Sequence, residues 1–276
     1  MKNKRYLFLG FICLLVMQSC ASIKEYPVTK KVAQVDLLHG VEIEDPYRWL
    51  EDFTSEEVEI WVGLQNNLSK KYLKRNKYKK RIKENLESIW VSDSKSIPQV
   101  RGDNIFYFFN DGSWEQSKLM KQECVGCLPE VIIDPNTFSN DGTVSLSNLS
   151  ISPNGKFIAY SISDGGSDWK TWKVLDVGSN QVLENSIKWT KFSSGSWEAD
   201  SSGFYYQKYP EPKEVALSEI NKSPKLYFHK IGTSQQEDVL VYDQPDKPNW
   251  SWNIEVSEDG KYRILYVGEG TDDSNR

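Results

Sequence analysis

Four times along the chain a glycine-containing turn is followed at once by a strand rich in aromatic and β-branched residues. It occurs as Arg101-Gly102-Asp103-Asn104-Ile105-Phe106-Tyr107-Phe108, as Ser152-Pro153-Asn154-Gly155-Lys156-Phe157-Ile158-Ala159-Tyr160, as Asp200-Ser201-Ser202-Gly203-Phe204-Tyr205-Tyr206 and as Ser257-Glu258-Asp259-Gly260-Lys261-Tyr262-Arg263-Ile264-Leu265-Tyr266. Glycines 102, 155, 203 and 260 are separated by 53, 48 and 57 residues, close to the roughly 40–50 residues of one β-propeller blade. From Pro98 onward the residues between them are short apolar runs broken by Asn-Gly, Asp-Gly and Gly-Gly pairs, the pattern of antiparallel meanders. A β-sandwich with coincidental spacing is the competing architecture. The fold class expected is mainly β, an incomplete propeller of about three to four blades. The last phrase sits at the C-terminus and is followed only by the polar Thr271 to Arg276, so the array is expected to be cut rather than closed, with one edge unpaired.

The residues before Pro98 read differently. Lys2, Lys4 and Arg5 precede an apolar run from Tyr6 to Met17, the order of a secretory signal and too short to span a bilayer. Met17-Gln18-Ser19-Cys20 resembles a bacterial lipobox, with Cys20 as the lipidated N-terminus after cleavage. Met17 stands where such boxes usually carry leucine, which leaves cleavage without lipidation as the alternative. Polar residues to Lys31 suit a tether. Thr54 with Glu57 forms a capping-box pattern, after which Trp61, Leu64, Leu68 and Tyr72 recur at helical spacing. Tyr78, Ile82, Leu86 and Ile89 mark a second helix, and both stripes require a partner surface. The expected organisation is a signal over residues 1–20, a tether over 21–31, a helical segment over 32–95 and blades over 96–276.

Charge excludes one class of partner. Without the signal, 31 basic residues face 39 acidic ones, a net charge near −8, and a nucleic-acid role is disfavoured because phosphate binding rests on clustered cations. The basic stretch from Lys70 to Lys83 reads as the solvated face of a helix. Cys124 and Cys127 form an isolated C-x-x-C, either a local disulfide or two free thiols. A structural zinc would need two more ligands, and His39 and His229 each stand alone in their segments. No phosphate-binding glycine loop is present either, so neither cofactor nor metal is expected.

Four collinear segments carry a family resemblance. His39-Gly40-Val41 followed by Asp45-Pro46-Tyr47-Arg48-Trp49-Leu50-Glu51-Asp52 resembles the opening motif of the prolyl oligopeptidase family. Ser161-Ile162-Ser163-Asp164-Gly165-Gly166-Ser167-Asp168-Trp169 is similar to its second-blade signature, and Lys191-Phe192-Ser193 with Trp197, Asp200, Gly203-Phe204-Tyr205-Tyr206 and Tyr209-Pro210 continues it. Leu226-Tyr227-Phe228-His229-Lys230-Ile231-Gly232-Thr233, Gln236-Glu237-Asp238 and Gly268-Glu269-Gly270-Thr271 complete it. The resemblance implies a seven-bladed propeller capping an α/β-hydrolase domain, with residues 32–95 as the first piece of that peptidase domain. It further implies cleavage of short proline-containing peptides after proline by a Ser-Asp-His triad, the propeller restricting access. In that picture Phe192 matches a substrate-contacting phenylalanine. Ser251 and Thr271 align with two further contact positions, where their side chains differ from those best known in the family. Asp168 is expected to fix its hairpin, and Asp45, Arg48 and Trp49 to tie the N-terminal segment to the hydrolase shell.

The chemistry itself is missing from these residues. Acyl transfer to serine needs a hydroxyl on a sharp turn, a histidine to take its proton and a carboxylate to orient the histidine, and in α/β-hydrolases the serine sits in G-x-S-x-G. No such motif occurs; Gly165-Gly166-Ser167-Asp168-Trp169 comes nearest and ends in tryptophan, so Ser167 reads as a turn residue. His229 reads as packing. The expectation is the front part of a prolyl oligopeptidase-like serine endopeptidase, inactive by itself and lipid-anchored in a bacterial cell envelope, periplasmic or outer-surface. The alternative is a noncatalytic propeller lipoprotein that binds peptide or glycan through its ten Trp and fourteen Tyr.

Overall fold

A computed structural model describes residues 26–52, 55–183, 186–212 and 221–272. Cys20 with its signal, and Thr54 of the expected capping box, lie outside the described residues. The chain divides into two compact units, Met1–Ser88 and Ile89–Arg276.

The first unit opens with a hairpin of β1 (Val35–Leu38) and β2 (Val41–Glu44), where a purely helical segment was expected. Its turn is His39-Gly40, both at positive φ, as a two-residue hairpin with right-handed strand twist requires. Arg48 ties the next turn back to this hairpin. Its guanidinium bonds to Asp45 at 2.6 Å and also to Asp36 of β1, while Trp49 meets Trp61 edge-on at 6.4 Å and donates to the Lys30 carbonyl at 3.0 Å. Asp45, Arg48 and Trp49, expected to reach toward a hydrolase shell, are thus engaged inside their own unit. Helix α1 (Glu56–Lys74) is capped by Ser55, whose Oγ accepts from Val58 N at 3.2 Å. Ser55 holds the extended backbone an N-cap needs, and Glu57 pairs with Lys30 at 2.9 Å. Helix α2 (Lys79–Trp90) buries none of its residues, and Ile82, Leu86 and Ile89 stay exposed.

The second unit is a partial β-propeller. The first blade is β3 (Ser94–Lys95), β4 (Gln99–Arg101), β5 (Asn104–Asn110), β6 (Lys118–Gln122) and β7 (Glu130–Ile133), all antiparallel. Its first strand begins two residues before the expected boundary at 96. Cys124 and Cys127 close a disulfide in the β6–β7 turn, which resolves the two alternatives left by the sequence. The second blade contains β8 (Val144–Ile151), β9 (Phe157–Asp164), β10 (Lys170–Asp176) and β11 (Gln181–Val182). Strand β12 (Ile187–Thr190) links β10 to the third blade of β13 (Ser196–Trp197), β14 (Gly203–Lys208), β15 (Lys225–Lys230) and β16 (Val239–Tyr242). The hairpin of β17 (Trp250–Val256) and β18 (Arg263–Glu269) opens a fourth.

Each of the four glycine phrases joins two antiparallel strands of one blade, β4–β5, β8–β9, β13–β14 and β17–β18. Ser152 Oγ accepts from Phe157 N at 2.9 Å and bonds Asn154 Oδ1 at 2.8 Å. One hundred and five residues later Ser257 Oγ accepts from Tyr262 N at 3.0 Å and bonds Asp259 Oδ1 at 2.7 Å. The turns also touch one another. A Cβ on Gly102 would overlap the Asn154 carbonyl and one on Gly155 the Arg101 carbonyl, while Gly102 N donates to Pro153 O at 3.2 Å. Asn154 N then reaches Ser201 Oγ at 3.2 Å, and a Cβ on Gly260 would stand 2.7 Å from that of Ala199. Gly203 differs from its counterparts. The positive φ belongs to Ser201, and Gly203 is glycine because a Cβ would strike the His229 carbonyl.

Successive residues of a strand face opposite ways, and in a propeller both faces meet a neighbouring blade. Ile158 and Tyr160 therefore pack with Phe106, Leu119 and Leu175 between the first two blades, while Ala159 turns to Trp172, Trp197 and Phe204 between the second and third. Tyr205 points the other way from Phe204 and Tyr206, into a seam with Leu226, Trp252 and Ile254. Each such side chain, fully buried, contributes roughly 1.5–3 kcal/mol. Polar struts cross the seams: Trp197 Nε1 donates to Ser150 O at 3.0 Å, and Glu198 joins Tyr205 at 2.7 Å and Arg263 of β18 at 2.7 Å. Burial opposes ionisation of Glu198, but hydrogen bonds from Tyr205 and Arg263 outweigh it and hold the carboxyl below its ordinary range. His229, read from sequence as packing, is also bonded, its Nδ1 lying 2.7 Å from Asp238, which accepts from Tyr206 at 2.6 Å.

Gly155→Ala is expected to cost about 2–4 kcal/mol in chemical denaturation, since it combines a left-handed backbone with an overlap on the facing turn. Gly165→Ala, also at positive φ but with open space around it, should cost only about 1–2 kcal/mol; equal losses would show that contact between turns does not set the blade spacing.

Candidate functional site

The segment Thr190-Lys191-Phe192-Ser193 holds a bulky aromatic residue at positive φ, and Trp189 directly before it is another. Lys191, Phe192 and Ser193 alternate between buried and exposed as strand residues do, and Thr190 before them is buried as well. Thr190 Oγ1 donates to Lys170 O at 2.9 Å. Lys191 is 3 % exposed. Ser193 Oγ accepts from Gln207 N at 2.9 Å, and its carbonyl accepts from Asn148 Nδ2 at 2.9 Å. Phe192 has φ +53° and stands 65 % exposed. A left-handed conformation costs an L-residue roughly 1–2 kcal/mol, and for a bulky aromatic it is a genuine outlier. Strain kept in place by surrounding bonds points toward a functional role for the residue that carries it.

Phe192 overhangs a depression of about 460 Å³ whose lining includes Asn148, Ser251, Trp252, Tyr266 and Gly268. Asn148 comes from β8, Phe192 from the link between β12 and β13, and Ser251 from β17, so three blades contribute to one concavity. Ser251 faces Gly268 across the β17–β18 hairpin, at the end away from the Gly260 turn. The far wall is fixed by Trp252 N donating to Gln207 Oε1 at 2.6 Å and Trp252 Nε1 donating to Pro224 O at 2.7 Å, and Ser194 Oγ bonds Asn253 at 2.7 Å. Phe192, Trp252, Tyr266 and Val267 give the depression apolar walls with Asn148, Ser251 and Asn253 as polar groups among them, suited to an apolar side chain or ring on a peptide whose backbone needs hydrogen-bond partners. Among the described residues that line it there is no histidine or carboxylate to act as a general base.

Of the residues expected from sequence, Phe192 and Ser251 share this depression. Thr271 does not line it and sits exposed in the turn after β18. Asp168, expected to fix its hairpin, is exposed; the hairpin is held instead by Ser163 Oγ donating to Ser167 O at 2.7 Å and Lys170 Nζ donating to the same carbonyl at 2.9 Å. Asn148 and Trp252 were not foreseen. Asn148 interrupts an otherwise apolar and serine-rich strand, a signal too common to single it out. Behind Phe192, burial pushes the Tyr209 phenol up to about 12, and Gln207 Nε2 donates to its oxygen at 3.1 Å. Burial likewise lowers the Lys191 pKa, which nearby Asp168 partly restores. Among the described residues no group of three or more His, Cys, Asp and Glu is placed to hold a metal.

Comparison with known proteins places this geometry. Residues 26–276 match the family described as "Prolyl oligopeptidase, N-terminal beta-propeller domain". The prolyl endopeptidase of Elizabethkingia meningoseptica is 36 % identical over 263 residues, covering 95 % of this chain and 37 % of the relative. Prolyl oligopeptidase A of Amanita bisporigera is 33 % identical, covering 91 % and 37 %. Among solved structures, a prolyl endopeptidase studied for inter-domain dynamics superposes with a TM-score of 0.80 at 31 % identity, covering 89 % of this chain and 36 % of that one. Prolyl oligopeptidase B from Galerina marginata, bound to a 25mer macrocyclization substrate, superposes with a TM-score of 0.76 at 30 % identity, covering 91 % and 38 %. The chain therefore spans under two-fifths of the length of these relatives.

Replacing Phe192 by Ala should change unfolding free energy by no more than about 0.5 kcal/mol, because so exposed a ring contributes little packing. Ser193→Ala next to it should cost about 1–3 kcal/mol by orphaning the buried Gln207 N–H. A large loss for Phe192→Ala in a denaturant titration would make it a packing residue and remove the case for a site.

Proposed function

The chain belongs to the prolyl oligopeptidase family, and from that membership we propose that it is the propeller-bearing front part of a serine endopeptidase that cleaves short peptides after proline. The observation that carries the reading is the strained, exposed Phe192 sharing one depression with Ser251 at a junction of three blades. An exposed aromatic ring of this kind packs against the flat face of a pyrrolidine ring or a neighbouring apolar side chain, and the Asn148 and Ser251 groups meet peptide N–H and C=O.

Bond cleavage is not assigned to these residues. A triad requires its histidine within hydrogen-bond reach of a nucleophile, and His229 is buried with Asp238 as its partner while His39 occupies the β1–β2 turn. On this reading the segment before the propeller belongs to a peptidase domain that supplies the Ser-Asp-His chemistry, and the blades contribute peptide contacts and restrict access.

The 276-residue chain, assayed with a chromogenic prolyl peptide, should release no product above buffer while binding an uncleavable proline-containing analogue measurably in calorimetry. Hydrolysis by the purified chain would overturn the division of labour, and absence of peptide binding would remove the depression from the substrate path.

We also propose that Cys20 is acylated and anchors the protein in a bacterial cell envelope, on the periplasmic or outer-surface side; the basic, apolar and lipobox-like order of residues 2–20 supports it. Expression in the presence of radiolabelled palmitate should label the protein and place it in the membrane fraction, and Cys20→Ala should abolish both. Labelling that persists in Cys20→Ala would refute the anchor.

A further inference from the structure

The ammonium of Lys191 lies in an aromatic cage. Its Nζ stands 3.9 Å from the centre of the Trp169 ring and 5.0 Å from that of Tyr209, the two rings meeting edge to face at 88°, and it donates to Asn221 Oδ1. The Lys191 carbonyl accepts from Gln207 Nε2 at 3.4 Å. Ring faces and an amide oxygen here take the place of water around a buried ammonium, with the charge of Asp168 nearby. Trp169 lies in the turn between β9 and β10, Tyr209 directly follows β14 and Asn221 precedes β15, so one side chain gathers three separate segments.

The neighbour of this anchored residue is Phe192. Lys191 and Ser193 are both held inward, and Phe192 between them combines a left-handed backbone with an exposed ring. Resting on the peptide-binding reading above, we propose that Lys191 is a positioning residue: the cation in its cage holds Phe192 in the conformation that meets a proline-containing peptide. It touches no substrate itself. A lysine serving only as core filling would not couple to Phe192.

The test incorporates 4-fluorophenylalanine at position 192 of the full chain and compares the parent with Lys191→Met, which keeps the aliphatic stem without the charge, and Lys191→Arg, which keeps the charge and can stack on Trp169. The parent should give a dispersed fluorine resonance, Lys191→Arg should retain it, and Lys191→Met should move it toward the position of an exposed, mobile ring. Trp169→Phe, a weaker cation partner, should fall between. In peptide binding, Lys191→Met should lose about tenfold, Lys191→Arg should stay close to the parent, and Lys191→Met combined with Phe192→Ala should bind no worse than Phe192→Ala alone. An unchanged fluorine spectrum in Lys191→Met, or additive binding losses in the double variant, would overturn the proposal. If the parent binds no peptide, the peptide-binding reading fails while the fluorine spectra still decide whether Lys191 sets the position of Phe192.

Discussion

Turns that touch backbone to backbone set the spacing of the blades. The Gly102 and Gly155 turns approach so closely that neither admits a Cβ, and the Gly155 and Ser201 turns are bonded through Asn154. Packing of this kind tolerates little change because carbonyl groups cannot change shape as side chains can. With these turns fixed, each blade presents its faces to its neighbours at a constant distance, and the large aromatic residues of the seams fill the space that remains.

The seams are apolar in bulk and polar at a few fixed points. Phe204, Trp172, Ile158 and Leu119 are almost wholly buried, and their non-directional attraction would allow blades to slide. Directional bonds remove that freedom. The Trp197 indole, Glu198 with Arg263, Asn148 with Ser193 and Gln207 with Trp252 each cross from one blade to the next. One of these struts ends on Ser193, the residue after Phe192, and Gln207 of another bonds the same serine, so the strained residue stands beside a constrained part of the seams. Strain of this sort persists only where its surroundings over-determine it.

Much of the fold was legible because its signals are local. The glycine turns at 102, 155 and 260 stand at positive φ and precede strands that the aromatic runs announced, whereas the hairpin around His39-Gly40 lay in a segment expected to be helical. The signal was weaker for the roles of single side chains. Ser55 caps α1, its backbone extended and its Oγ accepting from Val58 N. Asp168, which looked like a hairpin clasp, leaves that role to Ser163 and Lys170 because their groups converge on the Ser167 carbonyl.

The sequence by itself determined the family and the β architecture, because turn chemistry, alternation and motif order are properties of adjacent residues. Tertiary structure alone decided that Phe192 and Ser251 share a depression while Thr271 stands outside it, and that Lys191 is caged by Trp169, Tyr209 and Asn221. Residues 148, 192 and 251 meet only when three blades pack side by side, and nothing in their local sequence carries that distance. The charge of Lys191 argues for solvent in the sequence; it is buried because folding brings aromatic faces to it from segments that the chain order keeps apart.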